Sequence, residues 1–322
     1  MSNLFQQLRG EFQAGGLAKA DFITQMHERL HSTLFAYSQQ LKLTDIAKID
    51  IRDNEVIMTT RRDGIRIAID PEDHRTAPIE ILNFGEYEPD ETNVIRRIAM
   101  QMDTMLDIGA NIGWYSLMAS KINPAASIHC FEPIPTTYSR LIQNFALNSI
   151  ESLQCHNYGF SNEPGSFPFY FYPEGSGNAS MQNLAGRKDA TIVDCELRTL
   201  DSVLDWLPSI KRIDFVKCDV EGNELFVLQG GLKLLNEHKP VLLCELLRKW
   251  SAAFGYHPNE ALDLLGSIGY KPYIVGTDSN LVEISSITDE TIHTNFFFVH
   301  PDSHLRKFGD ALIGLKHNKF KN

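Results

Sequence analysis

Acidic residues and glycines stand at the ends of apolar runs in the middle of the chain, where they could bind a nucleotide-like ligand. One apolar run ends at Asp107, and a turn with Gly109, Asn111 and Gly113 precedes a helical pattern. Glycine permits a positive φ and a close approach of the ligand, and a helix N-terminus offers free N–H groups. A turn of this kind between a strand and a helix is typical of a nucleotide site.

The residues of this turn narrow the class of ligand. A dinucleotide-binding turn reads Gly-x-Gly-x-x-Gly, whereas here Asn111 stands at the middle glycine. The carboxylate of Asp107 would repel a pyrophosphate but can pair with an amino group. A ligand with a cationic amino-acid end and no phosphate fits these residues, and S-adenosylmethionine is such a ligand.

Glu132 adds a second indication of a nucleoside. It follows the next apolar run, about where a βαβ unit carries the acid that binds a ribose. The two carboxylate oxygens can accept hydrogen bonds from both ribose hydroxyls. We therefore assign Asp107, Gly109, Asn111, Gly113 and Glu132 to the binding of the cofactor.

These residues are positioned by an alternation of strand-like and helix-like patterns. The apolar, strand-like runs cover residues 104–108, 127–131, 153–158, 213–219 and 241–246. Continuous apolar strands that alternate with helices predict a Rossmann-like α/β fold, in which helices cover both faces of a parallel sheet. The carboxyl ends of the strands then face the ligand crevice.

The N-terminal part of the chain has a different residue pattern. Residues 1–43 are helical in pattern, and residues 46–69 look like short antiparallel strands joined by tight turns. We predict a small helical and β-hairpin accessory region over residues 1–70 and a cofactor-binding domain over residues 71–322. The apolar helical face of the accessory region could cover the main domain or form a homodimer.

Several motifs together resemble one protein family. They read DIGANIGWYSL, FEPIP, IDFVKCDVEGNELFVLQGG and PVLLCEL. From about Gly85 to Tyr273 the chain is similar to the FkbM family of S-adenosylmethionine-dependent methyltransferases. The resemblance implies the class I methyltransferase fold, with a seven-stranded, mostly parallel sheet and one antiparallel strand near an edge. It also implies methyl transfer to a hydroxyl of a sugar, a glycan or a secondary metabolite.

The family's Asp-x-Glu-Gly-x-Glu motif supplies the catalytic candidates. Asp219 ends a predicted strand, Glu221 follows on the loop, and Glu224 begins a helix, where an acid is favourable for structural reasons. Glu245 ends the next strand, beside Asp219 if the two strands are neighbours. Carboxylates in an apolar pocket suit the removal of a hydroxyl proton. Asp219 and Glu245 could instead hold Mg²⁺ or another divalent ion, but we favour catalysis without a metal.

The resemblance singles out two further segments. Tyr87 and Glu88 lie where the family places a loop over the cofactor, and they are candidates for contact with its methionine part. Asn178 and Ser180 lie in a Gly/Ser-rich segment that resembles a family stretch near the active site. We expect this segment to contact the substrate as a lid, or else to be a flexible loop.

Composition limits the partners. With 30 basic and 41 acidic residues the net charge is -11, which argues against a nucleic acid and favours a small-molecule or carbohydrate acceptor. No apolar run is long enough for a membrane span, no signal peptide is visible, and an odd number of cysteines suits a reducing compartment. We therefore expect a cytoplasmic enzyme.

Two alternative functions remain open at this point. The first is a nicotinamide-dependent oxidoreductase on a similar sheet, against which Asn111 and Asp107 argue. The second is a binding module that keeps S-adenosylmethionine but lacks turnover, against which the intact carboxylates at 219, 221 and 245 argue.

Overall fold

The computed structural model describes residues 4–150, 153–206 and 212–301. Within these residues the strands form three sheets. In chain order the strands are β1 Ile46–Arg52, β2 Glu55–Thr60, β3 Arg66–Ala68, β4 Thr104–Ile108, β5 Ser127–Phe131, β6 Leu153–His156, β7 Gly159–Phe160, β8 Gly165–Phe171, β9 Thr191–Arg198, β10 Phe215–Cys218, β11 Val241–Glu245, β12 Lys271–Val275, β13 Leu281–Glu283 and β14 Asn295–Val299.

Helices connect the strands and precede them. In chain order the α-helices are α1 Leu4–Gln13, α2 Lys19–Met26, α3 Ser32–Gln40, α4 Ala77–Phe84, α5 Pro89–Ala99, α6 Trp114–Ile122, α7 Pro135–Asn148, α8 Val203–Trp206, α9 Glu224–Gln229, α10 Leu232–His238, α11 Arg248–Ala253 and α12 Pro258–Ser267. A π-helical turn, His27–His31, joins α2 to α3, and a short helical turn, Pro173–Asn178, follows β8. Every helix in the described ranges is too short or too polar to cross a membrane.

The largest sheet has the order β13-β12-β14-β11-β10-β4-β5-β6. Strands β11, β10, β4, β5 and β6 are parallel, and β14 lies antiparallel between β11 and β12. The prediction of a class I methyltransferase fold with an antiparallel strand near one edge is therefore confirmed.

The predicted number of seven strands is wrong, because this sheet has eight. The additional strand is β13, which pairs antiparallel with the outer edge of β12. A tight turn, in which the N–H of Gly276 donates to the carbonyl of Asn280 at 2.8 Å, reverses the chain between the two strands. A hairpin of this length needs only a few residues, so it adds an edge strand without changing the order of the others.

Both faces of the sheet are buried, which explains its continuous apolar strands. Neighbouring residues of one strand face opposite sides. Met105 packs in a cluster with Val94 of α5 and Leu117 of α6, and Leu106 packs in a second cluster with Leu234 of α10. The two clusters hold the strands in register, so that their carboxyl ends form one edge.

The strands and the helices of the accessory region differ in how they pack. Strands β1 to β3 form the predicted antiparallel sheet, and Ile46 and Ile67 belong to the same apolar cluster as Val94 of the main domain. By contrast, residues 4–40 bury only Leu8 and Met26. The division of the chain at residue 70 stays a prediction.

Strands β8 and β9 are antiparallel and form a small separate sheet with β7. The short helical turn after β8 leaves this sheet and carries Asn178 to the carboxyl edge of the large sheet. This small sheet thus positions the Gly/Ser-rich segment.

Candidate active site

A cavity lies at the carboxyl edge of the large sheet. Most of the residues predicted from the sequence line it, because their strands end side by side. The predicted residues that line it are Tyr87, Glu88, Gly109, Asn111, Glu132, Asn178, Asp219, Glu221 and Glu245. Three others, Asp107, Gly113 and Ser180, are buried and do not line it.

The two glycines of the cofactor turn are required by backbone geometry and by close packing. Gly109 has a φ of +72°, and a Cβ there would lie 1.8 Å from the carbonyl oxygen of Asp219. Gly113 has a φ of +90°, and a Cβ there would lie 2.6 Å from both Leu141 and Phe145 of α7. No side chain fits at either position.

Asn111 stands where a dinucleotide-binding turn has its middle glycine. Its φ is +48°, a left-handed conformation that asparagine adopts more readily than most residues. Its backbone N–H donates to Oε2 of Glu132 at 3.0 Å, and its side-chain oxygen accepts from the hydroxyl of Ser176 at 3.2 Å. The turn is thereby closed onto the predicted ribose-binding acid.

Glu132 is held rigidly at the cavity wall. Oε1 accepts from the N–H of Ile134 at 2.9 Å, and Oε2 accepts from Asn111. Burial raises the pKa of Glu132 to about 7, although these hydrogen bonds lower it. Each carboxylate oxygen keeps a lone pair for a further donor, as the binding of a ribose diol requires.

Asp107 lies beneath the cavity wall and is only 1% exposed. Oδ2 accepts from the hydroxyl of Ser116 at 2.6 Å, and Oδ1 lies 3.9 Å from Nζ of Lys217. Burial raises the pKa of Asp107, while Lys217 and Ser116 lower it. Direct pairing of Asp107 with an amino group of the cofactor stays a prediction.

Lys217 is a residue of this site that the sequence reasoning missed. It lies on β10 opposite Asp107 of β4, and its ammonium contacts the carbonyl of Gly109 at 2.8 Å and Oδ2 of Asp219 at 3.1 Å. Burial lowers the pKa of Lys217, but Asp219 and Asp107 outweigh this and raise it above its ordinary value. A lysine in the middle of an otherwise apolar run was the available signal.

Asp219, Glu221 and Glu245 form the carboxylate cluster of the cavity. Each of the three places one oxygen within 4.8 Å of the others. The predicted adjacency of Asp219 and Glu245 is confirmed, since β10 and β11 are parallel neighbours. Burial and the charge of Asp219 raise the pKa of Glu245 to about 10. The neighbouring Asp219 thus favours the protonated form of Glu245.

Glu224 organises the loop that carries these acids. Its Oε1 accepts from the N–H groups of Val220 at 2.9 Å and Gly222 at 3.2 Å, and its Oε2 accepts from the hydroxyl of Tyr256 at 3.3 Å. It is 1% exposed and does not line the cavity. Its role is structural, as its position at a helix start predicts.

The cluster has the donor type that a hard divalent ion prefers, but its charges are already balanced in part. Three carboxylates would suit Mg²⁺. However, the Lys217 ammonium lies 3.1 Å from Asp219. A divalent ion bound there would lie close to this buried positive charge. These residues therefore fit a metal poorly.

Tyr87 and Glu88 form the wall opposite Glu132. Glu88 precedes α5 with a φ of +40°, accepts a hydrogen bond from the hydroxyl of Tyr115, and has its pKa raised to about 7 by burial. Tyr87 packs edge-on against Trp114, with ring centroids 5.8 Å apart. Glu88, Asn111 and Glu221, which line the cavity, all have left-handed backbones.

The Gly/Ser-rich segment is tied to three parts of the molecule. The Ser176 hydroxyl donates to Asn111, the Ser180 hydroxyl donates to the carbonyl of Glu221 at 2.7 Å, and the Ser176 N–H donates to Oδ2 of Asp73 at 3.1 Å. Sequence reasoning singled out Asn178 and Ser180 but not Ser176, for which the Gly/Ser composition was the only signal. The segment lies over the cofactor turn.

The charge of the cavity suits a cationic ligand. Its walls carry six acidic side chains, namely Glu80, Glu88, Glu132, Asp219, Glu221 and Glu245. The basic side chains on these walls are Lys217 and Arg75. An excess of carboxylates in a partly enclosed site attracts positive charge. The sulfonium and ammonium groups of S-adenosylmethionine meet this requirement.

Two proteins to which the chain is similar are named methyltransferases. Methyltransferase sdnD of Sordaria araneosa is 36% identical over 156 residues, which cover 39% of this chain and 59% of that protein. Hexuronic acid methyltransferase AglP of Haloferax volcanii is 32% identical over 146 residues, covering 44% of this chain and 56% of that protein. The chain thus spans little more than half the length of these two relatives.

A solved structure and a family model complete the comparison. The crystal structure of methyltransferase FkbM from Methylobacillus flagellatus is 17% identical with a TM-score of 0.39, over 62% of this chain and 44% of that one. The methyltransferase FkbM domain model matches residues 107–272, slightly more than half of the chain. The chain belongs to the FkbM family of S-adenosylmethionine-dependent methyltransferases.

Proposed function

We propose that this protein transfers the methyl group of S-adenosylmethionine to a hydroxyl oxygen of a small-molecule or carbohydrate acceptor. The observation that carries the proposal is the convergence of Asp219, Glu221 and Glu245 beside the Gly109 turn. Family membership supports the methyl donor, and the carboxylates supply what a neutral hydroxyl needs in addition, a proton acceptor.

The cofactor would lie across the carboxyl ends of β5, β4 and β10. Glu132 would accept from the ribose hydroxyls, and the methionine end would reach the turn at Gly109 and the wall of Tyr87 and Glu88. The sulfonium would then face the carboxylate cluster around Asp219. In this pose the positive charge of the cofactor is surrounded by acids, which stabilises its binding.

Asp219 is the proposed proton acceptor. The Asp219 side chain is 33% exposed, so one of its oxygens is accessible from the cavity. Lys217 and Glu245 interact with the same carboxylate. The acceptor oxygen forms a bond to the methyl carbon, the sulfur–methyl bond breaks, and the hydroxyl proton passes to Asp219. S-adenosylhomocysteine leaves as a neutral sulfide, so catalysis consists of positioning and proton removal without a metal.

The acceptor class follows from charge and from one relative. The net charge of -11 and the acidic cavity disfavour a nucleic acid. Carboxylates are good acceptors for the hydroxyls of a sugar, and Trp250 adds an aromatic wall beside them. The relative from Haloferax volcanii is named a hexuronic acid methyltransferase. We therefore place sugars, glycans and hydroxylated secondary metabolites first among the acceptors.

We also propose that the protein works in the cytoplasm. All five cysteines are free thiols, and all lie on strands of the large sheet or the small sheet beside it. Unpaired thiols of this number suit a reducing compartment.

A homodimer is proposed through the N-terminal helices. They expose apolar side chains at Phe5, Ile23, Leu34, Phe35 and Tyr37. Residues 1–43 contain four basic and three acidic residues, a net charge of +1, against -12 for the rest of the chain. Two copies can therefore approach at this face with little charge repulsion, and contact between them would cover helices that are too short to be stable alone.

The test is a product assay with methyl-labelled S-adenosylmethionine and a panel of acceptors. Glucuronic acid, galacturonic acid and glucose supply hydroxyls, and glucosamine replaces one hydroxyl by an amine. We expect S-adenosylhomocysteine and an O-methylated product with at least one hydroxyl acceptor. Product only on the amine would overturn the proposed O-methylation. Binding of the cofactor without turnover on a wide panel would favour a non-catalytic binding module.

A further inference from the structure

Lys217 lies in the middle of the large sheet, where a charge is costly. It is 6% exposed, and its strand β10 is flanked on both sides by the parallel strands β4 and β11. A buried ammonium is destabilising unless it is paired and hydrogen-bonded. An apolar side chain of similar length would fill the same strand position without that cost. The charge therefore calls for a role other than packing.

The ammonium joins three separate parts of the site. Its distances are 2.8 Å to the carbonyl of Gly109, 3.1 Å to Oδ2 of Asp219 and 3.9 Å to Oδ1 of Asp107. The first two distances are hydrogen-bond distances, whereas Asp107 is an ion-pair partner beyond that range. Lys217 thereby connects the end of β4, the cofactor turn and the carboxylate loop.

The same ammonium faces acids from every element around the cavity. Besides Asp107 of β4 and Asp219 of the loop, its charge acts on Glu245 of β11, on Glu88 before α5, and on Glu132 after β5. Its charge also lowers the pKa of Glu221, which burial raises. A charge at the centre of so many carboxylates reduces their mutual repulsion and keeps the cluster compact.

We propose that Lys217 is a positioning residue that holds the Gly109 turn against Asp219, so that the methionine end of the cofactor binds in a preformed slot. The proposal rests on the cofactor pose of the proposed function. In that pose Glu132 binds the ribose on the β5 side, and the methionine end extends over Gly109 and Asp219. Lys217 contacts only the second half of this path, so its loss should affect one end of the cofactor.

The test compares ligands that have the methionine end with one that lacks it. Wild type, Lys217→Met and Lys217→Arg are titrated calorimetrically with S-adenosylmethionine, S-adenosylhomocysteine and 5′-methylthioadenosine. Lys271→Met is the matched control, because Lys271 is also a strand lysine with an acidic partner, Glu283 at 2.8 Å, but lies away from the cavity.

We expect Lys217→Met to weaken the binding of both full-length ligands by about tenfold or more, because the Gly109 turn and Asp219 are no longer held together. Binding of 5′-methylthioadenosine should be unchanged, Lys217→Arg should recover part of the loss, and Lys271→Met should resemble wild type. Weaker binding of S-adenosylmethionine would support positioning over a general charge effect, because removal of a buried cation would by itself strengthen the binding of a cationic ligand.

Two results would overturn the inference. One is that Lys217→Met binds both full-length ligands with wild-type affinity. The other is that its affinity for 5′-methylthioadenosine falls by the same factor, which would mean that Lys217 supports the fold in general. If Lys217→Met does not fold, the double variant Lys217→Met with Asp219→Asn removes the orphaned charge and is compared with Asp219→Asn alone. Failure of wild type itself to bind S-adenosylmethionine would refute the proposed function instead.

Discussion

The carbonyl oxygen of Asp219 occupies the space that any side chain at Gly109 would need, 1.8 Å from the position of its Cβ. Gly109 follows β4 and Asp219 follows β10, and these strands are parallel neighbours in the sheet. The cofactor turn and the carboxylate loop are therefore in direct backbone contact. A change in one of them must displace the other, which couples cofactor binding to the position of the proposed base.

This contact predicts a severe effect of Gly109→Ala. Ala at this position would incur the cost of a left-handed backbone, of order 1–3 kcal/mol, and would also collide with Asp219. The matched control is Gly255→Ala, because Gly255 has a φ of +81° but nothing within 4 Å of a Cβ. We expect Gly255→Ala to lose only unfolding free energy, and Gly109→Ala to lose cofactor affinity as well. Urea unfolding and calorimetric titration measure both, and equal behaviour of the two variants would contradict the steric argument.

Much of the site could be predicted because strand ends are visible in the sequence. Glu132, Asp219 and Glu245 stand at or just after the last residue of a strand, and Asp107 stands one residue before the end of β4. The structure brings these strands together at one edge. The parallel arrangement follows from the alternation of strands and helices. The glycine turn then identifies the edge at which a ligand binds.

The remaining features depend on three-dimensional contacts that a sequence does not display. Nothing in the sequence shows that Asp107 points below the cavity wall or that Lys217 points at three oxygens, because the side-chain direction on a strand depends on register. The count of seven strands came from the family resemblance, which does not show that the short strand β13 pairs with β12 through the hairpin between Val275 and Leu281. The role of Ser176 depends on the folding of its segment over Asn111.

We expect Asp219→Asn to abolish most turnover without a comparable loss of affinity for the cofactor. Removal of a positioned general base typically lowers the rate by about 10²- to 10⁴-fold. The measurement is the rate of S-adenosylhomocysteine release with an accepted hydroxyl substrate, alongside calorimetric titration of S-adenosylmethionine. Asp263→Asn, on the exposed side of α12, is the control. Full activity of Asp219→Asn would mean that another group accepts the proton.

Chelation of divalent metals should leave the activity unchanged. The reason is that the Lys217 ammonium already lies 3.1 Å from Asp219 and supplies the positive charge that a metal would bring. Turnover is measured before and after dialysis against EDTA, and again after addition of Mg²⁺ or Mn²⁺. Loss of activity on chelation with recovery on addition of metal would assign Asp219, Glu221 and Glu245 to a cation site.

Glu224→Gln should stabilise the cofactor-free protein at high pH. Burial raises the pKa of Glu224 from 4.5 to about 7. Because the folded state binds this proton more tightly than the unfolded chain, the stabilisation is complete below pH 4.5 and is lost as the pH rises through about 7. Gln resembles the protonated acid, since its oxygen can accept from Val220 and Gly222 and its amide can donate to Tyr256.

The difference in unfolding free energy between Glu224→Gln and wild type should therefore grow with pH, by up to about 3 kcal/mol above pH 7. Urea unfolding at pH 5, 7 and 8.5 measures this difference. Glu237→Gln, on exposed helix surface, should show no such trend. A difference that stays constant over this range would mean that Glu224 is ionised throughout and that Gly222 and Val220 compensate its burial.

The N-terminal helices should be the contact between two copies of the chain. Phe35 of α3 is 67% exposed and lies among other exposed apolar side chains, so a charge there would face the partner copy in a dimer. We expect Phe35→Glu to shift the protein from dimer to monomer in sedimentation equilibrium at micromolar concentration. Ile292→Glu is the control, because Ile292 is 87% exposed but lies in the segment before β14. A wild-type protein that remains monomeric at high concentration would refute the dimer, and equal dissociation by both variants would place the contact elsewhere.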